Sequence, residues 1–149
     1  MKKLFFLFVI LCATSAIDAQ KLFIMGYSPA YGGYTMFLGA FNAPPSEECS
    51  IWNDRTIYGS TRWSGIWDKN GLWGNPESPY SPWNINATHP PLVQDEEGRT
   101  IYVLSYNVSK TTPEMAVLCG IISKNLDIFI QDFPGAYKRL FEKSLDEGQ

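Results

Sequence analysis

Hydrophobic and polar positions follow different spacings along the chain. Residues 21–25 and 34–41 are short apolar runs separated by a tyrosine-, glycine- and proline-rich segment at 26–33, which predicts two short strands joined by irregular chain. Further on, an apolar pair and a β-branched run on either side of a polar turn predict a β-hairpin over 92–106. Together these runs predict a mainly antiparallel sheet.

The C-terminal part changes to a helical spacing. Thr112, Pro113 and Glu114 have the features of a helix start: a hydroxyl cap, an early proline and an acidic side chain in the first turn. Apolar residues then recur three or four positions apart, at Met115, Leu118, Cys119, Ile122, Leu126, Phe129 and Phe133. The β-branched content and the polar triplet at 123–125 also allow a hairpin, so residues 113–131 are predicted as a helix with a hairpin as the alternative.

A final amphipathic helix is predicted after an interruption at 132–135. Its apolar face comprises Tyr137, Leu140, Phe141 and Leu145. Such a narrow stripe usually packs on its own domain, and binding of a partner is the alternative. The predicted fold class is therefore α+β, with a turn-rich, mainly antiparallel β repeat region and C-terminal helices.

The middle of the chain carries a degenerate repeat over residues 50–84. Trp52, Trp67 and Trp83 are separated by 15 and 16 residues, and each is followed by Asn or Asp. Tyr58 and Trp73 repeat the 15-residue step, and each precedes a glycine. Asn, Asp and Gly favour turns, so each copy is predicted as a tight turn, a short extended piece and a second turn. Stacked copies would bury the aromatic side chains that a single copy leaves exposed.

Residues 1–19 have the composition of a cleaved signal peptide. Lys2 and Lys3 precede a short apolar run, and small residues follow as far as Ala19. The run is shorter than the roughly 20 residues that a membrane span requires, and no later run in the sequence approaches that length. We therefore expect an exported protein, periplasmic or extracellular, without an integral membrane span.

The length of 149 residues favours one domain after cleavage. Residues 20–112 are predicted to form a β-rich domain that contains the repeats at 50–84 and the hairpin at 92–106. Residues 113–149 are predicted to form a helical segment packed on that domain. Aromatic residues make up 15% of the chain, and it contains 12 glycines and ten prolines. This composition favours turns held by aromatic packing over long charged helices.

Two cysteines remain once Cys12 leaves with the signal peptide. In an oxidising compartment an even pair is expected to form a disulfide, here between Cys49 and Cys119. It would close a loop of about 70 residues and stabilise the fold by roughly 4 kcal/mol. The alternative, a catalytic thiol assisted by His89, is less favoured because two glutamates precede Cys49 and apolar residues flank Cys119.

Charge and motif content narrow the classes of function. Without residues 1–19 the chain has ten basic and 14 acidic side chains, a net charge of −4 and no basic stripe, which argues against nucleic-acid binding. The acidic turn at 95–97 lacks the alternating spacing of a calcium loop and is interpreted as a solvated turn. The sequence contains no metal-ligand spacing, no nucleophile paired with a base and no phosphate loop, so we predict no catalytic residue, metal or cofactor.

Several short motifs resemble those of a known group of proteins. The sequence Phe-Leu-Gly-Ala-Phe-Asn-Ala at 37–43, the Ser-Ile-Trp-Asn at 50–53 and the Tyr-Gly-Ser at 58–60 resemble short exported bacterial proteins with an Asn-aromatic/Tyr-Gly-Ser repeat. In that group the last repeat leads into an Asn-x-x-Ala-Thr-x-x-Pro segment and an Asp-x-x-Gly hairpin, matched here at 84–91 and 95–98. The resemblance covers about residues 37–107. It implies export and a repeat architecture, and it carries no activity, cofactor or catalytic residue.

Three functional hypotheses follow. The favoured one is a non-enzymatic structural or interaction protein whose aromatic repeats form the core. The alternative is a glycan- or peptide-binding module, acting on a cell-envelope glycan or another envelope protein, that presents Trp52, Tyr58, Trp67, Trp73 and Trp83 as a stacking platform. The least favoured is a hydrolase that uses the neighbouring carboxylates at 47–48 or 95–97.

Overall fold

The fold is a small α+β arrangement, as the sequence predicts. The computed structural model describes residues 20–142. It contains four strands, β1 (Phe23–Ser28), β2 (Gly33–Ala40), β3 (Leu92–Gln94) and β4 (Thr100–Val103), and three helices, α1 (Pro113–Lys124), α2 (Leu126–Gln131) and α3 (Phe133–Tyr137). A π-helical turn, Lys138–Glu142, follows α3. The predicted signal peptide at 1–19 and the apolar position Leu145 lie outside the described residues.

The sheet joins two hairpins that are far apart in sequence. Its strand order is β2-β1-β3-β4, with every neighbouring pair antiparallel. Strand β1 pairs with both β2 and β3, so it ties the N-terminal hairpin to the predicted hairpin at 92–106. The second hairpin is shorter than predicted, because β4 ends at Val103.

The first strand begins and ends later than predicted, at Phe23 and Ser28 instead of residues 21 and 25. The glycine-rich segment was expected to break the chain from residue 26, yet β1 continues to Ser28. Gly26 fits within the strand because Trp73 and Leu38 lie over it, and a Cβ at this position would come within 2.7 Å of both side chains. Glycine here serves close packing rather than a turn.

Residues 44–89, here named the turn region, form a series of β-turns. Along most of this stretch, the N–H group of every third residue donates to the carbonyl three positions earlier, as for Asn53 to Ser50 at 3.2 Å and Ser81 to Ser78 at 3.3 Å. The extended pieces predicted for residues 50–84 are absent, and the region contributes no strand to the sheet. Its one ladder contact is a parallel bridge between Ala40 and Ser50.

The three-residue step of these turns matches a three-residue pattern in the sequence. Triplets such as Ser-Ile-Trp at 50–52, Gly-Ile-Trp at 65–67 and Ser-Pro-Trp at 81–83 place a small or polar residue first and an aromatic residue last. Pro76, Pro79 and Pro82 occupy the second turn position, where the fixed φ of proline is favoured and its missing N–H costs nothing. Between Gly65 and Ser81, the 16-residue step of the repeat consists of five such turns and one extra residue, whereas in the 15-residue step before it the turns stop after Thr56.

Helix prevails over hairpin in the C-terminal part. The Thr112 hydroxyl accepts a hydrogen bond from the Met115 N–H at 3.2 Å, the cap that the sequence predicts. The predicted interruption at 132–135 is confined to Asp132, which ends α2 and whose side chain caps α3 through the Gly135 N–H. The inner face of α1 is buried, with Met115, Leu118, Cys119 and Ile122 in the main core. No helix within residues 20–142 has both the length and the apolar content to cross a membrane.

Candidate functional site

The three tryptophans of the repeat form a ladder. Each indole N–H donates to a backbone carbonyl of the preceding segment: Trp52 to Phe41 at 2.8 Å, Trp67 to Ile51 at 2.7 Å and Trp83 to Ile66 at 2.6 Å. In the last two bonds the acceptor is the residue just before the previous tryptophan, so the contact repeats with the sequence. The last two bonds connect successive copies of the repeat, and the first connects Trp52 to the residue that follows β2.

The indole rings also contact one another and the C-terminal helices. The ring centroids of Trp52 and Trp67 lie 5.5 Å apart, and those of Trp67 and Trp83 lie 5.4 Å apart. Phe133 of α3 packs against Trp52 and Trp67, at 6.1 and 5.0 Å. Each such contact stabilises the fold by about 0.5–1.5 kcal/mol beyond the stabilisation from burying its apolar area. The ladder therefore joins the turn region to the helices.

A second set of aromatic residues packs on the sheet. The Trp73 indole N–H donates to the Tyr27 carbonyl of β1 at 2.9 Å, and Tyr58 packs edge-on against Phe37 of β2 at 5.2 Å. The 16-residue step from Trp73 leads to His89, whose ring stacks on Tyr27 at 4.2 Å. The repeat thus supplies one aromatic column to the helices and another to the sheet.

The glycines that follow Tyr58 and Trp73 are required by close backbone contact. A Cβ at Gly59 would lie 2.0 Å from the Asn53 carbonyl oxygen, and one at Gly74 would lie 2.1 Å from the Asp68 carbonyl oxygen. In both copies the glycine sits six residues after the Asn or Asp of the turn. This shared contact explains the aromatic-Gly pairs of the sequence.

The prediction that the repeat tryptophans form an exposed stacking platform is wrong. Trp52, Trp67, Trp73 and Trp83 are all at most 7% exposed, so their faces are occupied by the protein itself. Tyr58 is half-buried against Phe37. Even spacing did place the three ladder tryptophans in one column, but that column faces the interior.

The fifth tryptophan, which the repeat pattern omits, is the exposed one. Trp63 is 67% exposed and lies in a loop at 59–64 that interrupts the series of turns. Next to this loop is an open cleft of about 390 Å³, whose lining includes Asp54, Arg62, Trp63 and Phe133. The sequence does distinguish Trp63 from the other tryptophans, because Trp63 does not lie at a position of the repeat. The tryptophans that do lie at repeat positions are buried.

The predicted disulfide is absent, and both cysteines are free thiols. They pack in different places: Cys49 lies beside β2, where its carbonyl accepts from the Ala40 N–H at 2.7 Å, whereas Cys119 is buried in α1. Burial raises the pKa of the Cys119 thiol well above its usual value, although a hydrogen bond from the Ser105 backbone acts in the opposite direction. Such a thiol stays protonated at neutral pH.

The acidic turn of the second hairpin is more ordered than a solvated turn. Asp95 is buried, and its Oδ1 accepts from the Glu97 and Arg99 N–H groups, both at 2.9 Å, while its Oδ2 accepts from the Arg99 guanidinium at 2.8 Å. Burial alone would raise the pKa of Asp95, but these donors together lower it below the ordinary value. Elsewhere Glu47 pairs with Lys21 at 3.0 Å. Among residues 20–142, no group of three or more His, Cys, Asp or Glu side chains is placed to hold a metal ion.

Comparisons with protein-family models, with curated proteins and with solved structures find no match for this chain. Any proposal about the function of this chain therefore rests on its sequence and structure.

Proposed function

We propose that this chain is an exported, non-enzymatic structural or interaction protein in which the aromatic repeats form the core. The observation that carries this proposal is the tryptophan ladder. All three of its indoles are buried, and all three indole N–H groups donate to backbone carbonyls. Two of these bonds join copies of the repeat, and the third joins Trp52 to Phe41. Side chains committed to internal bonds serve stability rather than chemistry.

The partners that suit this proposal belong to the cell envelope, either a glycan or another envelope protein. A net charge of −4 for the mature chain and the absence of a basic stripe argue against nucleic acid. The composition of residues 1–19 supports export.

Tryptophan fluorescence tests the core role of the repeats. Iodide should quench about one of the five tryptophans, since it cannot penetrate a packed core, and Trp63→Phe should remove most of the quenchable signal. Tyr31→Phe, at a residue that is 83% exposed, is the matched surface control and should leave quenching unchanged. Quenching of several indoles in the folded protein would contradict a core role.

Expression of the full chain in a bacterial host tests export. The envelope fraction should contain a protein whose measured mass corresponds to cleavage after Ala19. An uncleaved protein that stays in the cytoplasm would overturn the localisation and would leave the core role untouched.

A further inference from the structure

The loop at 59–64 is the place where the series of turns stops. Three-residue turns run up to Thr56 and resume at Gly65, with no such backbone bond between them. Within the loop, Arg62 and Trp63 point to solvent rather than to the core. An exposed indole beside a cleft differs from all the other tryptophans of the chain, which are buried.

The loop is nevertheless held in a defined conformation. Ser64 has a φ of +61°, a left-handed conformation that costs about 1–2 kcal/mol for a residue other than glycine. Its N–H donates to the Oδ2 of the buried Asp68 at 3.0 Å, and the Arg62 N–H donates to the Ser60 hydroxyl at 3.1 Å. Backbone strain that the surroundings maintain is concentrated at ligand sites.

The cleft beside the loop has the size and the lining of a small-ligand site. Its volume of about 390 Å³ falls within the roughly 300–1,000 Å³ typical of such sites. Phe133 of α3 contributes an apolar part of its lining, and Asp54 and Arg62 contribute opposite charges. Within the described part of the chain, Arg62 makes no ion pair, so its donors are available.

We propose that this cleft binds a neutral saccharide, with one pyranose ring stacked on the indole of Trp63. A pyranose has an apolar C–H face, which suits the negative face of an aromatic ring. Its rim of hydroxyl groups both donates and accepts, and Asp54 accepts while Arg62 donates. Because one carboxylate and one guanidinium balance in charge, the cleft favours an uncharged sugar over an acidic one.

This site is separate from the core function of the repeats. The ladder tryptophans stabilise the domain whether or not the cleft is occupied, so the two proposals fail independently. The site does place the interaction surface of the protein at the loop rather than at the repeat tryptophans.

NMR spectroscopy of the full chain labelled with ¹⁵N tests the proposal. The probes are the β-1,4-linked tetrasaccharides of glucose and of N-acetylglucosamine. We expect at least one of them to shift the Trp63 indole N–H signal in a saturable manner, with the four buried indoles unchanged. Trp63→Ala and Arg62→Ala should each weaken binding about tenfold.

Matched variants control for surface changes. Tyr31→Ala removes an aromatic ring elsewhere that is even more exposed than Trp63, and Arg55→Ala removes a nearby exposed cation outside the cleft lining; both should bind like the wild type. Three outcomes would each overturn the proposal: no shift of Trp63 up to about 10 mM of either probe, equal binding by Trp63→Ala, or tighter binding of an oligogalacturonate than of both neutral probes.

Discussion

The turn region and the sheet hold their chains together in different ways. In the sheet, backbone bonds join residues far apart in sequence, as where β1 pairs with β3. Between residues 52 and 78, the backbone bonds of the turn region span only three or four positions. Side chains, above all the indole N–H groups, make the contacts between successive copies of the repeat.

This difference predicts different tolerance to mutation. A strand keeps its backbone ladder when a surface side chain is changed, because the N–H and carbonyl groups stay paired. A turn keeps only its local bond, and it loses its connection to the next copy when the connecting side chain is removed. Substitutions in the turn region should therefore cost more than comparable ones in the sheet.

The largest effect is expected at the centre of the ladder. Trp67→Ala would remove contacts with two tryptophans and with Phe133, and should lower the free energy of unfolding by about 3–5 kcal/mol. Trp63→Ala is the same substitution four residues away on the surface and should change it by less than about 0.5 kcal/mol. Urea unfolding measures both values.

A second variant keeps the ladder test informative if Trp67→Ala does not fold. Trp67→Phe retains an aromatic ring but leaves the Ile51 carbonyl without its donor, at a cost of about 1–3 kcal/mol. Equal stability of Trp67→Phe and the wild type would mean that the indole bonds do not connect the copies.

The next effect in size concerns the glycines of the turn region. Gly74→Ala would place a Cβ 2.1 Å from the Asp68 carbonyl oxygen, which forces the backbone apart and should cost about 1–3 kcal/mol. Gly33→Ala in β2 meets its nearest atom at 3.9 Å and should change stability by less than about 0.5 kcal/mol. Thermal unfolding of the two variants compares the regions directly, and similar losses would remove the contrast between them.

Sequence patterns predicted the fold class because its signals are local. The Thr112 cap, the helical spacing after it and the polar turn at 95–98 each depend on neighbouring residues, and all three exist in the structure. The same patterns were less successful in the turn region. The 15-residue period alone predicts extended pieces, whereas the structure has turns with a three-residue step and the loop at 59–64 in their place.

The direction in which a side chain faces could not be obtained from spacing alone. Equal spacing places Trp52, Trp67 and Trp83 in one column, yet whether that column meets solvent or helices depends on α3, which lies 50 or more residues away in sequence. The prediction of a disulfide is wrong for a related reason. An even number of cysteines predicts a pair, but only the packing places Cys119 against Ser105 and Cys49 against β2.

A smaller effect is expected for the asparagines that begin the turns. The Asn84 side chain accepts from the Asn86 N–H at 3.0 Å and donates to the Ser78 carbonyl at 2.9 Å, so Asn84→Asp would lose the donor at a cost of about 1–2 kcal/mol. Asn75 begins an equivalent turn and accepts from the Glu77 N–H, and its amide nitrogen makes no hydrogen bond within the described residues. Asn75→Asp adds the same charge and should be nearly neutral. If both variants lose equal stability in urea, the added charge and not the lost donor is responsible.

The smallest effect, confined to acid, is expected at the Asp95 turn of the sheet. The folded-state pKa of this carboxyl group lies below its ordinary value of 3.8, since the Arg99 and Glu97 N–H groups and the Arg99 guanidinium outweigh the effect of burial. Its contribution to stability is therefore complete above the unfolded-state pKa and is lost as the pH falls through the lower, folded-state pKa. Between about pH 5 and pH 2, the free energy of unfolding should fall more steeply for the wild type than for Asp95→Asn, which has no proton to gain. Identical slopes would show that this turn, like those between residues 44 and 89, depends on the geometry of its acceptor and not on its charge.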